Sequence, residues 1–229
     1  MSRRIVLKNI TKTYGTKPAL SGASAVWEEG TIVALVGANG GGKSTLLKLL
    51  SGVIHPDLGS IEGLAGFTMS SMPDRLAFSR GWTAQDWLTM IAKWKRVPRS
   101  RIREVLVEAG LDEVRTKSVA AFSQGMVRRL LYAQTRLTPA DLILLDEPEG
   151  GLDPEWTVRL EKELDRLRAE GKTVIFSTHW LDFAVEKADK LCIFAGGRIV
   201  AQEDTQAWRP LDSTTRRQNL VGWIRQVEP

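Results

Sequence analysis

The sequence holds a single cysteine, Cys192, in 229 residues. That excludes an internal disulfide framework and a cysteine-rich metal site, and it suits a reducing compartment. Histidine is scarce too, with only His55 and His179. No stretch approaches the roughly 18 apolar residues of a membrane-spanning helix, so any membrane role is expected to come through a partner. The opening residues, Met1 to Lys8, carry too short an apolar run for a secretion signal. There is no internal repeat, no low-complexity tract and no basic run. A net charge of +5 permits contact with anionic lipid or nucleic acid, but it is mild and reads as a solvated surface with a few extra Lys and Arg. What remains is ordinary globular composition, 43% hydrophobic and 26% charged, enough for one large domain or a core with an inserted subdomain.

Against that background one stretch stands out. Gly37-Ala38-Asn39-Gly40-Gly41-Gly42-Lys43-Ser44-Thr45 reads G-x-x-x-x-G-K-S, a phosphate-binding P-loop. The apolar run Thr31 to Val36 precedes it and predicts a buried parallel strand; Leu46 to Leu50 follows and predicts a helix that stops at Gly52. Glycines let the backbone turn tightly and aim several N–H groups at one anion, at the start of a helix. Lys43 is placed to reach the β- and γ-phosphates, and the Ser44 hydroxyl to hold the Mg²⁺ that bridges them. The alternative, a glycine-rich turn with a chance Lys-Ser after it, fits the strand-loop-helix context less well. The chain is therefore expected to bind a nucleoside triphosphate.

Residues 3–36 read as short strands, with Ile5, Leu7 and Ile10 broken by polar residues, a turn at Tyr14-Gly15 and a strand from Ala23 to Trp27. Tyr14 is open to two readings, a ring stacked on a nucleotide base or a surface tyrosine. Gly59 to Gly63 predicts a turn and short strand, and Leu64 to Met69 a further strand. From Met72 to Leu137 helical patterns take over. Trp87, Met90, Ile91 and Trp94 recur at helix spacing as one apolar face, and Val97-Pro98 ends that helix. Ile102, Val105, Leu106 and Ala109 mark a second, stopped by Gly110. Ser123 is placed to cap a third, whose first turns carry Arg128 and Arg129. This reads either as a capped helix with a basic first turn or, since arginines near a helix N-terminus are electrostatically unhelpful, as a site where an anion from outside the domain would relieve the cost.

Leu142-Ile143-Leu144-Leu145-Asp146-Glu147 is the second strong signal, an apolar strand ending in two carboxylates. Asp146 is placed to take Mg²⁺, and Glu147 to orient and polarise an attacking water. Glu149 to Pro154 reads as a flexible turn, followed by a helix from Glu155 to Glu170 with Val158, Leu160, Leu164 and Leu167 on its inner side. Another buried strand, Lys172 to Ser177, ends at Thr178-His179. His179 is either packed and hydrogen-bonded or functional; ligands of doubly wound sheets gather at the carboxyl ends of the strands, where it lies. A hairpin around Gly196-Gly197 and a helix from Thr215 to Ile224 close the reading.

In this combination and order the motifs resemble the ATP-binding-cassette ATPases, the nucleotide-binding subunits of ABC transporters, over essentially the whole chain. The resemblance implies an α/β fold: a P-loop NTPase cassette in which a RecA-like core (about 1–71 and 139–229) carries an N-terminal antiparallel β subdomain and an inserted α-helical subdomain (about 72–138), one domain over 1–229. It implies ATP and Mg²⁺ as cofactors. Tyr14 would stack on adenine. Gly37, Asn39, Gly40, Gly41, Gly42, Lys43, Ser44 and Thr45 would bind phosphate. Ser44 and Asp146 would hold Mg²⁺. Glu147 would be the catalytic base, with Lys43 and His179 on the γ-phosphate. Ser123 and Gly125 would complete the ATP site of an opposite subunit in trans, bringing the anion that Arg128 and Arg129 call for, and Asp153 would lie in the D-loop beside it. Two such sites imply a homodimer, or a heterodimer with another cassette, whose closure on ATP drives separate integral membrane permease subunits. The protein would then sit on the cytoplasmic, inner face of the cell membrane, with no nucleic-acid partner. The rivals are a soluble relative acting on nucleic acid or ribosomes, and a slow ATP-gated regulatory subunit.

Three positions depart from the family pattern. The signature Leu-Ser-Gly-Gly-Gln is here Phe122-Ser123-Gln124-Gly125-Met126, a form that resembles exporter-type members. The Gln that follows the strand into the helical insertion has no counterpart in Thr68 to Pro73, where Ser70 aligns best and becomes a possible further Mg²⁺ contact. Gly150 stands where the D-loop usually has Ser.

Overall fold

A computed structural model describes residues 3–78 and 81–225. The expected limits at 1 and 229, and positions 79 and 80 of the helical insertion, lie outside them. β1 (Arg4–Tyr14) and β2 (Lys17–Glu28) form a long antiparallel hairpin. The interrupted alternation reads as several short strands, but register shifts across Asn9, at φ 50°, and on either side of Lys12 absorb the polar residues as bulges within one strand. β3 (Ile32–Gly37) leads into the P-loop, and α1 (Lys43–Leu50) leaves it. β4 (Leu58–Glu62) pairs with the free edge of β1, giving a three-stranded sheet in the order β2-β1-β4.

The strand expected from Leu64 to Met69 begins only at its last residue. Gly66, at φ 85°, bends the chain, and the Phe67 N–H closes a turn on the Leu64 carbonyl at 3.2 Å. β5 is Met69–Met72. It enters a six-stranded sheet with β3, β6 (Leu142–Asp146), β7 (Thr173–Thr178), β8 (Lys190–Ala195) and β9 (Arg198–Asp204). The order is β5-β6-β7-β3-β8-β9, parallel throughout except for the final β8–β9 hairpin.

Alternate residues of the central strands feed two cores. Ile32, Ala34, Val36, Leu145, Val174 and Phe176 face α4 (Gln124–Thr135), α5 (Pro154–Ala169) and α6 (Leu181–Lys187), with α7 (Ser213–Arg225) at the edge. Val33, Leu35, Leu144, Ile175 and Phe194 face α1 and the inner side of the three-stranded sheet, where Trp27 is buried. On α5, Leu160, Leu164 and Leu167 point inward, but Val158 is exposed.

Between β5 and β6 lie α2 (Ala84–Trp94), α3 (Arg99–Glu108) and α4, with a core of their own. The tryptophan stripe does not form its centre. Ala84, Leu88 and Ala92 are buried, Trp87 and Ile91 half-buried, and Met90 and Trp94 are 43% and 81% exposed. Apolar residues straddle two faces of α2, and the face carrying small alanines lets the helices approach most closely. Thr83 and Asp86 cap α2 reciprocally.

Candidate active site

The sheet order puts three functional segments side by side. β7 lies between β6 and β3, and all three run the same way. Asp146 is level with Ser177, and Thr178 with Val36 at the mouth of the P-loop. The P-loop, Asp146-Glu147 and Thr178-His179 therefore share one end of the sheet.

The loop itself needs its glycines. A Cβ on Gly37 would lie 2.3 Å from the Phe194 carbonyl oxygen, and one on Gly42, at φ 100°, 2.5 Å from that of Ala19. Gly42 caps α1 without a side chain, leaving the first-turn amides free to face an anion. Lys43 is 4% exposed, and its Nζ donates to the carbonyls of Gly37 at 2.7 Å and Ala38 at 3.0 Å. Burial pulls its pKa below the usual lysine range, opposed by the carboxylates of Glu147, Asp146 and Glu149. Ala19, Asn39 to Thr45 and Glu147 line a cleft of about 120 Å³ over the loop.

Ser44 donates to Asp146 Oδ1 at 2.9 Å. Ser177 donates to the same oxygen at 2.5 Å and accepts the Glu147 N–H at 3.0 Å. One serine thus fixes the Asp146 carboxylate and the Glu147 backbone, and sequence reading missed it as the last residue of an apolar strand. Glu147 adopts φ 47°, a left-handed backbone that is costly for a non-glycine residue and recurs at functional turns. Its Oε2 lies 3.9 Å from Nδ1 of the exposed His179. The oxygens of Ser44 and Asp146 suit Mg²⁺, a hard ion that binds through one or two carboxylates plus substrate phosphates and keeps its waters.

Glu149 to Pro154 is a turn anchored at both ends. Glu149 is 7% exposed, and Asp153 caps α5, accepting the Trp156 N–H at 2.9 Å. Ser123 caps α4, accepting the Met126 N–H at 3.2 Å, and Gly125 packs so tightly that a Cβ there would lie 2.7 Å from the Gly151 carbonyl oxygen. Tyr14 is half exposed at the end of β1, opposite Lys17 in the hairpin. Tyr14, Ser123, Gly125 and Asp153 do not line the P-loop cleft of their own chain.

Two expectations are corrected. Arg128 does not wait for an outside anion. It is 5% exposed and donates to the carbonyls of Gly150 at 3.0 Å, Asp74 at 2.9 Å and Asp146 at 3.2 Å, and to Asp74 Oδ1 at 2.9 Å. Arg129 lies over the Trp156 ring, 4.5 Å from its centre. A Cβ at Gly150 would meet Arg128 Nη2 at 2.9 Å, so a side chain there would displace the guanidinium from its place. Ser70 is buried, and its hydroxyl donates to the Thr135 carbonyl at 3.1 Å, away from the site. Pairing with β6 ends at Met72 and Leu145, and two residues on Asp74 meets Arg128.

Comparison with known proteins agrees with this geometry. The family described as ABC transporter matches residues 20–150, more than half of the chain. The Nod factor export ATP-binding protein I of Burkholderia orbicola (strain AU 1054) is 32% identical over 216 residues, covering 86% of this chain and 70% of that protein. That of Rhizobium meliloti is 31% identical over 212 residues, covering 86% and 63%. A dimeric bacterial ABC transporter cassette superposes with a TM-score of 0.79 at 25% identity, covering 88% of this chain and 98% of that one. A dimeric cassette in a post-hydrolysis state with ADP and Pi has the same fold, with a TM-score of 0.78 at 23% identity, over 88% and 98% of the two chains. The chain belongs to the ABC transporter family, as an ATP-binding and ATP-hydrolysing cassette.

Proposed function

We propose that two cassettes, either two copies of this chain or this chain and a homologous subunit, close head to tail around two ATP molecules and drive separate membrane permease subunits. The observation that carries the reading is the cluster at the end of β3, β6 and β7: Ser44, Asp146, Ser177, Glu147 and His179 within hydrogen-bond or ion-pair reach of their neighbours over the P-loop. Gly37 to Thr45 cradle the phosphates, and Lys43 exchanges its carbonyl partners for phosphate oxygens. Ser44 and Asp146 would hold Mg²⁺, which would neutralise charge developing on the β- and γ-phosphates. Glu147 takes a proton from water as its oxygen attacks the γ-phosphorus and the bond to ADP breaks. His179 donates to the γ-phosphate, and Tyr14 stacks on adenine. Ser123, Gly125 and the Asp153 turn serve the opposite subunit's nucleotide.

The exposed Met90 and Trp94 on α2 support a docking surface for the permease between Ser70 and Trp94. Among the described residues no helix is long and apolar enough to cross a membrane, in keeping with a peripheral subunit on the cytoplasmic face. The relatives' names favour export. The test compares wild type with Glu147→Gln. Loss of turnover with capture of an ATP-bound dimer by light scattering supports the mechanism. Equal turnover in the two proteins removes Glu147 as the base and favours a slow regulatory subunit.

A further inference from the structure

Glu149 is a third carboxylate at this end of the sheet, and nothing in the mechanism above uses it. It follows Asp146, Glu147 and Pro148 directly, yet it turns inward and is 7% exposed. One oxygen accepts the Thr178 hydroxyl; the other, Oε2, is buried with no hydrogen-bond partner among the described residues. A half-satisfied buried carboxylate is costly, so packing does not account for it. Its place does. Thr178 Oγ1 also accepts the Trp180 N–H at 2.9 Å. That bond closes a small ring around the residue between them, His179, as hydroxyl side chains do in tight turns. On the far side the Trp180 ring stacks on Phe183, with centroids 5.9 Å apart and planes 22° from parallel. The backbone of the turn that carries His179 is thus tied to the Thr178 hydroxyl, and Glu149 accepts that hydroxyl.

We propose that Glu149 is a positioning residue: through the Thr178 hydroxyl it fixes the turn that presents His179 to the γ-phosphate. The proposal rests on the reading of His179 given above. It also ties the start of the Glu149–Asp153 turn to the end of β7, so that the two segments move together. Burial pushes the Glu149 pKa up, and the Thr178 hydrogen bond opposes it, as expected for a carboxyl held in place rather than solvated.

The test measures ATP turnover and nucleotide affinity for Glu149→Ala, Glu149→Gln, Thr178→Val, Thr178→Ser, the double variant Glu149→Ala with Thr178→Val, and His179→Ala. Glu149→Ala and Thr178→Val should each lower kcat about tenfold with KM for ATP changed less than about twofold. The double variant should be no slower than the slower single, because the two act in series. Glu149→Gln and Thr178→Ser keep an oxygen in place and should restore most of the rate. With two histidines in the chain, the imidazole NMR signal of His179 is easily assigned, and it should broaden or split in Glu149→Ala. If His179→Ala is inactive while Glu149→Ala and Thr178→Val turn over like wild type, the Glu149 role is overturned and the His179 reading stands. If His179→Ala turns over normally, the His179 reading fails and takes the Glu149 role with it. Should Glu149→Ala fail to fold, Thr178→Val and Glu149→Gln decide the matter alone.

Discussion

Ser44 and Asp146, 102 residues apart in sequence, meet at 2.9 Å with the serine hydroxyl donating to the carboxylate. The P-loop helix and the end of β6 are thereby linked through the two groups suited to a metal ion. Replacing Asp146 with Asn keeps the shape and a hydrogen-bonding oxygen but removes the charge. Turnover at millimolar Mg²⁺ should fall on the order of 100-fold, with partial recovery as Mg²⁺ is raised. Turnover unchanged across the Mg²⁺ titration would remove Asp146 from the metal site.

Arg128 joins the exits of β5 and β6 to the turn at Gly150. Arg128→Met should cost about 3 kcal/mol, since it strands three carbonyls and one carboxylate at a largely buried position. For a chain of this size that is a fall in Tm of roughly 6–12 °C. Arg128→Lys should recover less than half, because a single ammonium cannot span the same partners. Thermal scans that separate Lys from wild type by under a degree would contradict this account.

Much of this was legible in advance. The P-loop, the apolar strand before it and the Asp146-Glu147 pair are local signals, with the chemistry written in adjacent residues. What was not legible depends on distant partners. Ser177 reads as the tail of a buried strand until β6 is seen beside it. Arg128 looks electrostatically misplaced until Asp74, 54 residues away, is seen to pair with it. Trp94 looks like core because side-chain size dominates the pattern, yet Ala84 and Ala92 decide which face packs. Ser70 aligns with the missing Gln in sequence, whereas its hydroxyl is spent on the Thr135 carbonyl, 65 residues away.

Gln134 on α4 accepts the Trp87 indole N–H at 3.0 Å and donates to the Ser71 carbonyl at 3.1 Å. It bridges α2 to the strand that enters the insertion. Gln134→Leu should lower stability by about 1–2 kcal/mol in urea unfolding and leave ATP affinity within about twofold. A midpoint equal to wild type would show that water replaces both bonds.

Glu149 gives a pH signature with a definite sign. Burial raises its pKa above the ordinary 4.5, so the folded chain holds the proton more tightly than the unfolded one. Between the ordinary value and the raised one, stability therefore falls as pH rises. Glu149→Gln does not titrate. Its Tm relative to wild type should climb as pH is raised from about 4.5 to neutrality. A difference that stays flat over that range would mean the carboxyl titrates alike in both states.

α4 belongs to two cores at once. Leu131 sits in the cluster under the large sheet, and Leu130 and Ala133 sit in the helical cluster. The position of Ser123, at the helix's leading end, is therefore set jointly by two bodies of packing, neither of which includes a residue lining the P-loop cleft. Loosening either one, at Leu88 or at Phe176, is therefore expected to shift the same serine. On the reading proposed for Ser123, a cassette can thus lose that contact through a fault tens of residues away, with Gly37 to Thr45 intact, and an inventory of motifs would not reveal it.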